Sequence, residues 1–341
     1  MDPTANAVHV NAPLTNISIA YMQEATNFVA DRVFPNIPVR KQSDKYWKYD
    51  RSDFWRNQMQ VRAPGTESSG SGWKMDANST YFADVWALHK DIPDQVRANA
   101  DDPLNLDSDA SQWLTQQGLI AREVSWASAF FTTGVWTGIT GAAADVTGVA
   151  ASPSTNEVLQ WSDANANPIA DVKAYSDTVW LLTGMRPNTM VLGRQVWTKL
   201  SEHADLIDRI KYSGGVSPSS PAIVSLQATA ALFELERILI MDGIYASSAE
   251  NPSFETAMTT ASIAGKKALL CYVPPAPGLM TPSAGYTFSW TGYLPGQGSY
   301  GQVVSSFRMG HLKSDRVEME MAYDQKVTCT DCGVFFNSIV A

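Results

Sequence analysis

Two extended segments separated by a glycine–serine tip constrain the fold of this 341-residue chain more than any other feature. Prolines at 35 and 38 stop a short amphipathic run over 15–33 and impose an extended path on the residues after them. Lys45 to Asp53 then reads as a strand, with Tyr46, Lys48 and Asp50 on one face and Trp47, Tyr49 and Arg51 on the other. Residues 63–72 (APGTESSGSG) are a flexible tip by composition, and 80–90 (TYFADVWALHK) supply the returning strand. Both faces of this hairpin carry aromatic and charged side chains, so neither is a plain solvent face. A two-stranded ribbon this polar is not stable alone; it needs a surface to lie on.

The charge pattern asks for a partner as well. Residues 40–62 hold seven basic side chains against three acidic ones, whereas 76–109 hold eight aspartates against Lys90 and Arg97. A +4 segment is thus followed by a −6 segment, in a chain whose net charge is −9. That acidity argues against a nucleic-acid binder of the usual basic kind. The first twenty residues lack a basic stretch followed by an apolar core, which argues against a secretory signal, and no run of 18 apolar residues exists to span a membrane. Three cysteines (Cys271, Cys329, Cys332) fit a reduced compartment better than a disulfide framework.

Beyond the hairpin, the spacing of Trp113, Ile120, Val124, Ala127 and Phe131 predicts a helix over about 107–132, with Asp107 or Ser108 as its cap. At roughly 37 Å it is the longest helix expected. Residues 132–153 are rich in Gly, Ala and Thr and read as a loop. The middle alternates helix and strand: a helix over 168–183 ending at Gly184, a buried strand at 189–192, helical stretches through Lys211, a loop at 214–221, a helix near 225–234 and a strand at 237–242. The end is strand-rich, with candidates at 267–273, 286–291 and 302–309 and clean alternation over 316–323.

Chemistry is harder to find. Gly296 to Gly301 (GQGSYG) matches the dinucleotide-binding pattern, but a strand-like QVVSSF comes next where a helix is required, so a glycine-rich turn is the better reading. Asp107 to Ser111 opens like a calcium loop, yet Gln112 and Gly118 stand where glycine and glutamate are needed. Cys329 and Cys332 form a C-x-x-C without a second pair; in a strand they point to opposite faces, which suits core packing rather than zinc or redox work. The four histidines have no metal-like spacing, and Ser201-Glu202-His203 lacks a nucleophile elbow. No catalytic, cofactor or metal site is expected. The aromatic residues on extended polar segments, taken as a set, look instead like interface anchors.

Read end to end, the order of these elements resembles the major capsid proteins of tailed bacteriophages, the Hong Kong 97-type fold. The segments 32–50 (RVFPNIPVRKQSDKYWKYD), 187–212 (PNTMVLGRQVWTKLSEHADLIDRIKY) and 316–340 (RVEMEMAYDQKVTCTDCGVFFNSIV) are similar to capsid sequences of this type. The resemblance implies an α+β chain with an N-terminal arm (1–40) and an extended hairpin loop (41–100). It also implies a peripheral domain (101–164 and 276–326) built on a long spine helix and long antiparallel strands, and a central axial α/β domain (165–275 and 327–341). It implies self-assembly into hexamers and pentamers of an icosahedral shell around double-stranded DNA, in the host bacterial cytoplasm. A separate scaffolding protein, a portal protein and decoration proteins are the other partners implied. The inter-subunit candidates are Lys45, Tyr46, Trp47, Lys48, Tyr49, Arg51, Trp55, Arg56 and Trp73, lying over a neighbour and meeting acidic groups such as those of its 76–109 region. An encapsulin-like compartment shell is the alternative on the same fold, and a soluble α/β enzyme the alternative from another class.

Overall fold

Alternation over the last long strand organises one of two large sheets. The computed structural model describes residues 22–100, 104–213, 224–249, 258–278, 280–294 and 302–341, so the glycine pattern at 296–301 and the loop at 214–221 lie outside the described residues. In chain order the elements are α1 (Ala30–Val33), β1 (Asn36–Val39), β2 (Ser43–Tyr49), α2 (Arg51–Trp55), β3 (Met75–Phe82), β4 (Asp84–Pro93), α3 (Asp94–Ala98), α4 (Leu106–Phe130), β5 (Val146–Val149), β6 (Glu157–Leu159), α5 (Pro168–Thr183), β7 (Thr189–Gly193), α6 (Arg194–Ser201), α7 (Ala204–Ser213), α8 (Leu226–Leu232), β8 (Arg237–Met241), β9 (Ile244–Ala246), β10 (Thr260–Ser262), β11 (Ala268–Cys271), β12 (Gly285–Trp290), β13 (Gln302–Met309), β14 (Ser314–Val327) and β15 (Gly333–Asn337).

β14 takes three antiparallel partners: β13 and β4 along its first part and β12 along its last, with β1 parallel to β12 at the far edge. The alternating Val317, Met319, Met321 and Tyr323 are buried against Ala110 and Leu114 of α4 and against Ile92. The second sheet has the order β6-β5-β15-β11-β7-β8. Its central strands are apolar without a break because both faces are covered. Met190, Leu192, Leu270, Val334 and Phe336 face α5 and α6, packing on Ile169, Val172, Val179, Val196 and Leu200. Their neighbours Val191, Leu269, Cys271 and Phe335 face Val33, Phe34, Trp126, Phe131 and Trp136. Helix α4 therefore touches both sheets, its first half against β14 and its last turns in the core behind the six-stranded sheet.

Several boundaries differ from the expectations. The cap of α4 is Asn105, whose side chain accepts from Ser108 N–H at 3.2 Å, not Asp107 or Ser108. Its buried stripe is Ala110, Leu114, Gly118, Arg122–Glu123 and Trp126–Ala127, and Trp113 is exposed with Lys90 Nζ 6.0 Å from its ring. The apolar pattern misleads there because two charged residues occupy core positions. Residues 132–153, expected as a loop, contain β5, which pairs in parallel with β15 and β6. The returning strand at 80–90 is two strands, broken at the buried Ala83, whose N–H donates to Gln42 O at 2.8 Å.

Glu123 fastens the start of the described chain to this frame. Its carboxyl oxygens accept from the N–H groups of Val29 and Ala30, each at 2.9 Å. Burial pushes its pKa up to about 7, although those two N–H bonds oppose the rise. Asp31, paired with Arg122, is pushed up to about 6, again chiefly by burial. Both groups bind protons more tightly folded than unfolded, so their contribution to stability is full below about pH 4 and is lost as pH rises through 6 to 7. Raising the pH from 5 to 8 is expected to cost on the order of 2 kcal/mol through Glu123. Urea midpoints measured across that range should fall for the wild type and stay flatter for Glu123→Gln; equal slopes would contradict the assignment.

Candidate assembly interface

The hairpin read from the sequence is present as β2 paired with β3, from Ser43 opposite Phe82 to Tyr49 opposite Met75, with a register slip beside Trp47. Its base is docked on the first sheet. The rings of Tyr46 and Tyr81 stack on Phe288 of β12 at 5.6 and 4.7 Å, and Ile37 and Val39 pack beside them. Burial raises the pKa of both tyrosine hydroxyls. Phe82 N–H donates to Asp324 Oδ2 at 2.8 Å, so the ribbon departs from β14 at a fixed point.

Past Tyr49 the strand expected to reach Asp53 stops. The Asp50 side chain accepts from Ser52 N–H at 2.9 Å, which caps the short helix α2 and holds the Asp50 carboxyl below its usual pKa. Asp53 Oδ2 accepts from Lys74 N–H at 3.0 Å and Asp50 N–H donates to Lys74 O at 3.2 Å, closing the ribbon. Phe54 lies edge-on to Tyr49 at 5.8 Å and 6.5 Å from Trp73. This end is moored to the second sheet. Arg51 donates to Asp331 Oδ2 at 2.8 Å and to the Leu182 carbonyl at the end of α5. Trp55 covers Gly184, whose φ of 72° and 3.1 Å clearance to the indole from a built Cβ both favour glycine.

The nine candidate residues therefore separate into groups. Tyr46 is spent on the ribbon's own base, and Arg51 and Trp55 face the chain's own α5. Lys48 stands opposite Asp76 with its ammonium 5.7 Å from the Tyr46 ring, and Tyr49 supports Phe54. Lys45 and Arg56 are exposed. Trp47 and Trp73 are 65% and 64% exposed, and with Phe54 and Met59 (92%) they give the ribbon an apolar outer surface. Sequence reasoning missed Val85 and Leu88 on β4 and Val304 and Phe307 on β13, which are also exposed. Their signal was the want of polar alternation on β4 at 85–88. These exposed apolar side chains join the candidate surface of the ribbon.

The acidic half of the charge asymmetry has a local explanation. Asp91 is held in a bidentate pair by Arg316 at 2.7 and 2.8 Å, and Asp94 by both terminal nitrogens of Arg308 at 2.5 Å. Arg97 bridges Asp107, at 2.7 Å, and Asp315. The arginine hydrogen bonds hold Asp91, Asp94 and Asp315 below the usual carboxylate range. Three of the aspartates expected to meet a neighbour's ribbon are thus paired within their own chain.

No family model matches the chain. It is 27% identical over 336 residues to the major capsid protein of Pseudomonas phage JBD67, covering 97% of both chains. It is 24% identical over 287 residues to the major capsid protein of Burkholderia phage BcepMu, covering 82% of both. Among solved structures, a phage-related protein from Bordetella bronchiseptica superposes with a TM-score of 0.66 at 18% identity over 93% of each chain. The capsid of cyanophage P-SCSP1u does so with 0.59 at 10% identity over 98% of each. The SrpI encapsulin of Synechococcus elongatus gives 0.54 at 11% identity over 96% of this chain and 92% of its own.

The stacking on Phe288 is expected to set the ribbon's local stability. Phe288→Ala should cost about 3 kcal/mol. Amide exchange in 43–49 and 75–82 should accelerate far more than in β7 and β11. Uniform acceleration across all four strands would mean that Phe288 serves the global fold instead.

Proposed function

We infer that this chain, a relative of the phage major capsid proteins with a Hong Kong 97-type fold, is the major capsid protein of a tailed bacteriophage, a structural component of the virion rather than an enzyme. The observation that carries this is the end-to-end likeness to a phage major capsid protein, 27% identity over 97% of both chains. The encapsulin shares the fold, whereas both relatives found by sequence are phage proteins.

The chain assembles with copies of itself into a shell. In the arrangement proposed, it forms hexamers and pentamers of an icosahedron that encloses double-stranded DNA without reading its sequence, built in the host bacterial cytoplasm. A scaffolding protein, a portal protein and decoration proteins complete the partner set of this reading. The chain divides into an arm (1–40), a hairpin loop (41–100), a peripheral domain around α4 and β14, and an axial domain around the six-stranded sheet. The pairing of β5 with β15 supports a first peripheral boundary near 145 instead of 164.

The ribbon is the strap of this assembly. Its exposed Trp47, Trp73, Phe54 and Met59 supply apolar area for a neighbouring subunit, and Lys45 and Arg56 set charge at the rim. A projecting ribbon buries surface that a rounded domain cannot reach. Arg51 and Trp55 fix its angle from within the chain.

Electron microscopy of the protein expressed with its phage assembly partners is expected to show closed shells; only soluble subunits would contradict the capsid reading. The reversal Lys45→Glu, Arg56→Glu, which leaves the Arg51 mooring in place, should leave circular dichroism unchanged and abolish shells. Normal shells from that variant would remove the basic ribbon from the assembly contact.

A further inference from the structure

Residues Thr330–Cys332 form a 3-10 turn, not the strand expected, and this brings Cys329 and Cys332 together instead of sending them to opposite faces. Cys332 N–H donates to Cys329 O at 3.2 Å, and the two Sγ atoms stand 2.6 Å apart. Cys332 is fully buried, whereas Cys329 is only partly buried, at the edge of the same core. The hydrogen bond from Cys332 lowers the pKa of Cys329, and that same bond, with burial, raises that of Cys332. The third thiol, Cys271, lies in the same core, where burial pushes it up to about 12. Of the pair, Cys329 is the more exposed and has the lowered pKa, which makes it the sulfur that attacks first in thiol–disulfide exchange.

We propose that Cys329 and Cys332 are a reversible thiol–disulfide site, oxidised by a small-molecule disulfide such as glutathione disulfide, whose internal bond locks the turn that anchors the ribbon. The Cys329 thiolate attacks one sulfur of the small disulfide, forming a mixed disulfide and expelling one thiolate, which takes up a proton. Cys332, its proton passed to solvent, then attacks Cys329 Sγ, forms the internal S–S bond and expels the second thiolate. Two electrons and two protons leave the protein, and the oxidant ends as two thiols.

The position of the turn gives the bond its consequence. It joins β14 of one sheet to β15 of the other, and Tyr272 N–H and Thr137 N–H donate to its carbonyls at Cys332 and Thr330, at 2.9 and 3.1 Å. Asp331, between the two cysteines, receives Arg51 of the ribbon at 2.8 Å and the hydroxyl of Thr137. A cross-link from 329 to 332 holds Asp331 in the conformation that accepts Arg51.

The test treats the full-length protein with glutathione disulfide, alkylates it after denaturation and measures intact and peptide masses. The expected product has lost about 2 Da to a bond between Cys329 and Cys332 and carries one alkyl group, on Cys271. Cys332→Ser should stop at a glutathione adduct on Cys329. Hydrogen exchange at residues 50–56 should slow in the oxidised wild type. Three alkylated cysteines, a lasting glutathione adduct on the wild type, or a bond to Cys271 would overturn the site; unchanged exchange at 50–56 would overturn its coupling to the ribbon.

Discussion

The ribbon depends on the stacking of Tyr46 and Tyr81 against Phe288. A two-stranded hairpin with aromatic and charged side chains on both faces does not hold its shape in water. Here one aromatic residue from each of its strands is fixed to β12, and β12 is fixed to β14. The ribbon therefore leaves the sheet at a set place, with Phe82 N–H on Asp324 and the buried Ala83 marking where β3 ends and β4 begins. From that root Trp47 and Trp73 are carried outward, while Arg51 and Trp55 hold the middle of the ribbon to the end of α5 and the turn at Asp331. A rigid strap loses less conformational freedom on meeting a neighbour than a loose one.

Charge serves a different purpose from the one its distribution along the chain suggests. Asp91, Asp94, Asp107 and Asp315 are shared among Arg97, Arg308 and Arg316 at the end of the first sheet where β13, β14 and β4 meet α3. Exposed pairs of this kind contribute little stability each, but a network of bidentate arginines fixes orientation. The basic surplus of the ribbon is then balanced only in part by its own Asp44, Asp50, Asp53 and Asp76. In the assembly proposed, the ribbon offers a neighbour mainly apolar area, with positive charge at its rim. Inside the chain, Glu123 and Asp31 sit where α1 meets α4, and the burial of these two carboxyls makes stability fall as pH rises through 6 to 7.

Much of the fold is legible in the sequence. Prolines 35 and 38, the Gly/Ser tip and the two-faced aromatic strands identify a ribbon that needs a support, and alternation over 316–323 identifies the strand that organises the first sheet. The element order carries the likeness to phage capsids. The features that are not legible depend on contacts distant along the chain. Phe288 is an ordinary strand residue until Tyr46 and Tyr81 are laid on it. The helix stripe misleads because Arg122 and Glu123 hold core positions through Asp31 and the N–H groups of Val29 and Ala30. β5 has no clear signal of its own because its neighbours in the sheet, β15 and β6, supply the order that a Gly- and Ala-rich stretch lacks alone. The C-x-x-C reads as strand because the strands around it are clear, and its 3-10 turn depends on hydrogen bonds that Thr137 and Tyr272 make to it.

In the assembly proposed, the ribbon's outer surface lies on another copy of the chain. The most direct test of this contact places a photo-crosslinking amino acid at position 47 and irradiates assembled particles built from an equal mixture of light and nitrogen-15-labelled protein. Cross-linked peptides are expected to pair light with heavy chains as often as like with like. Cross-links confined to single chains would contradict the contact.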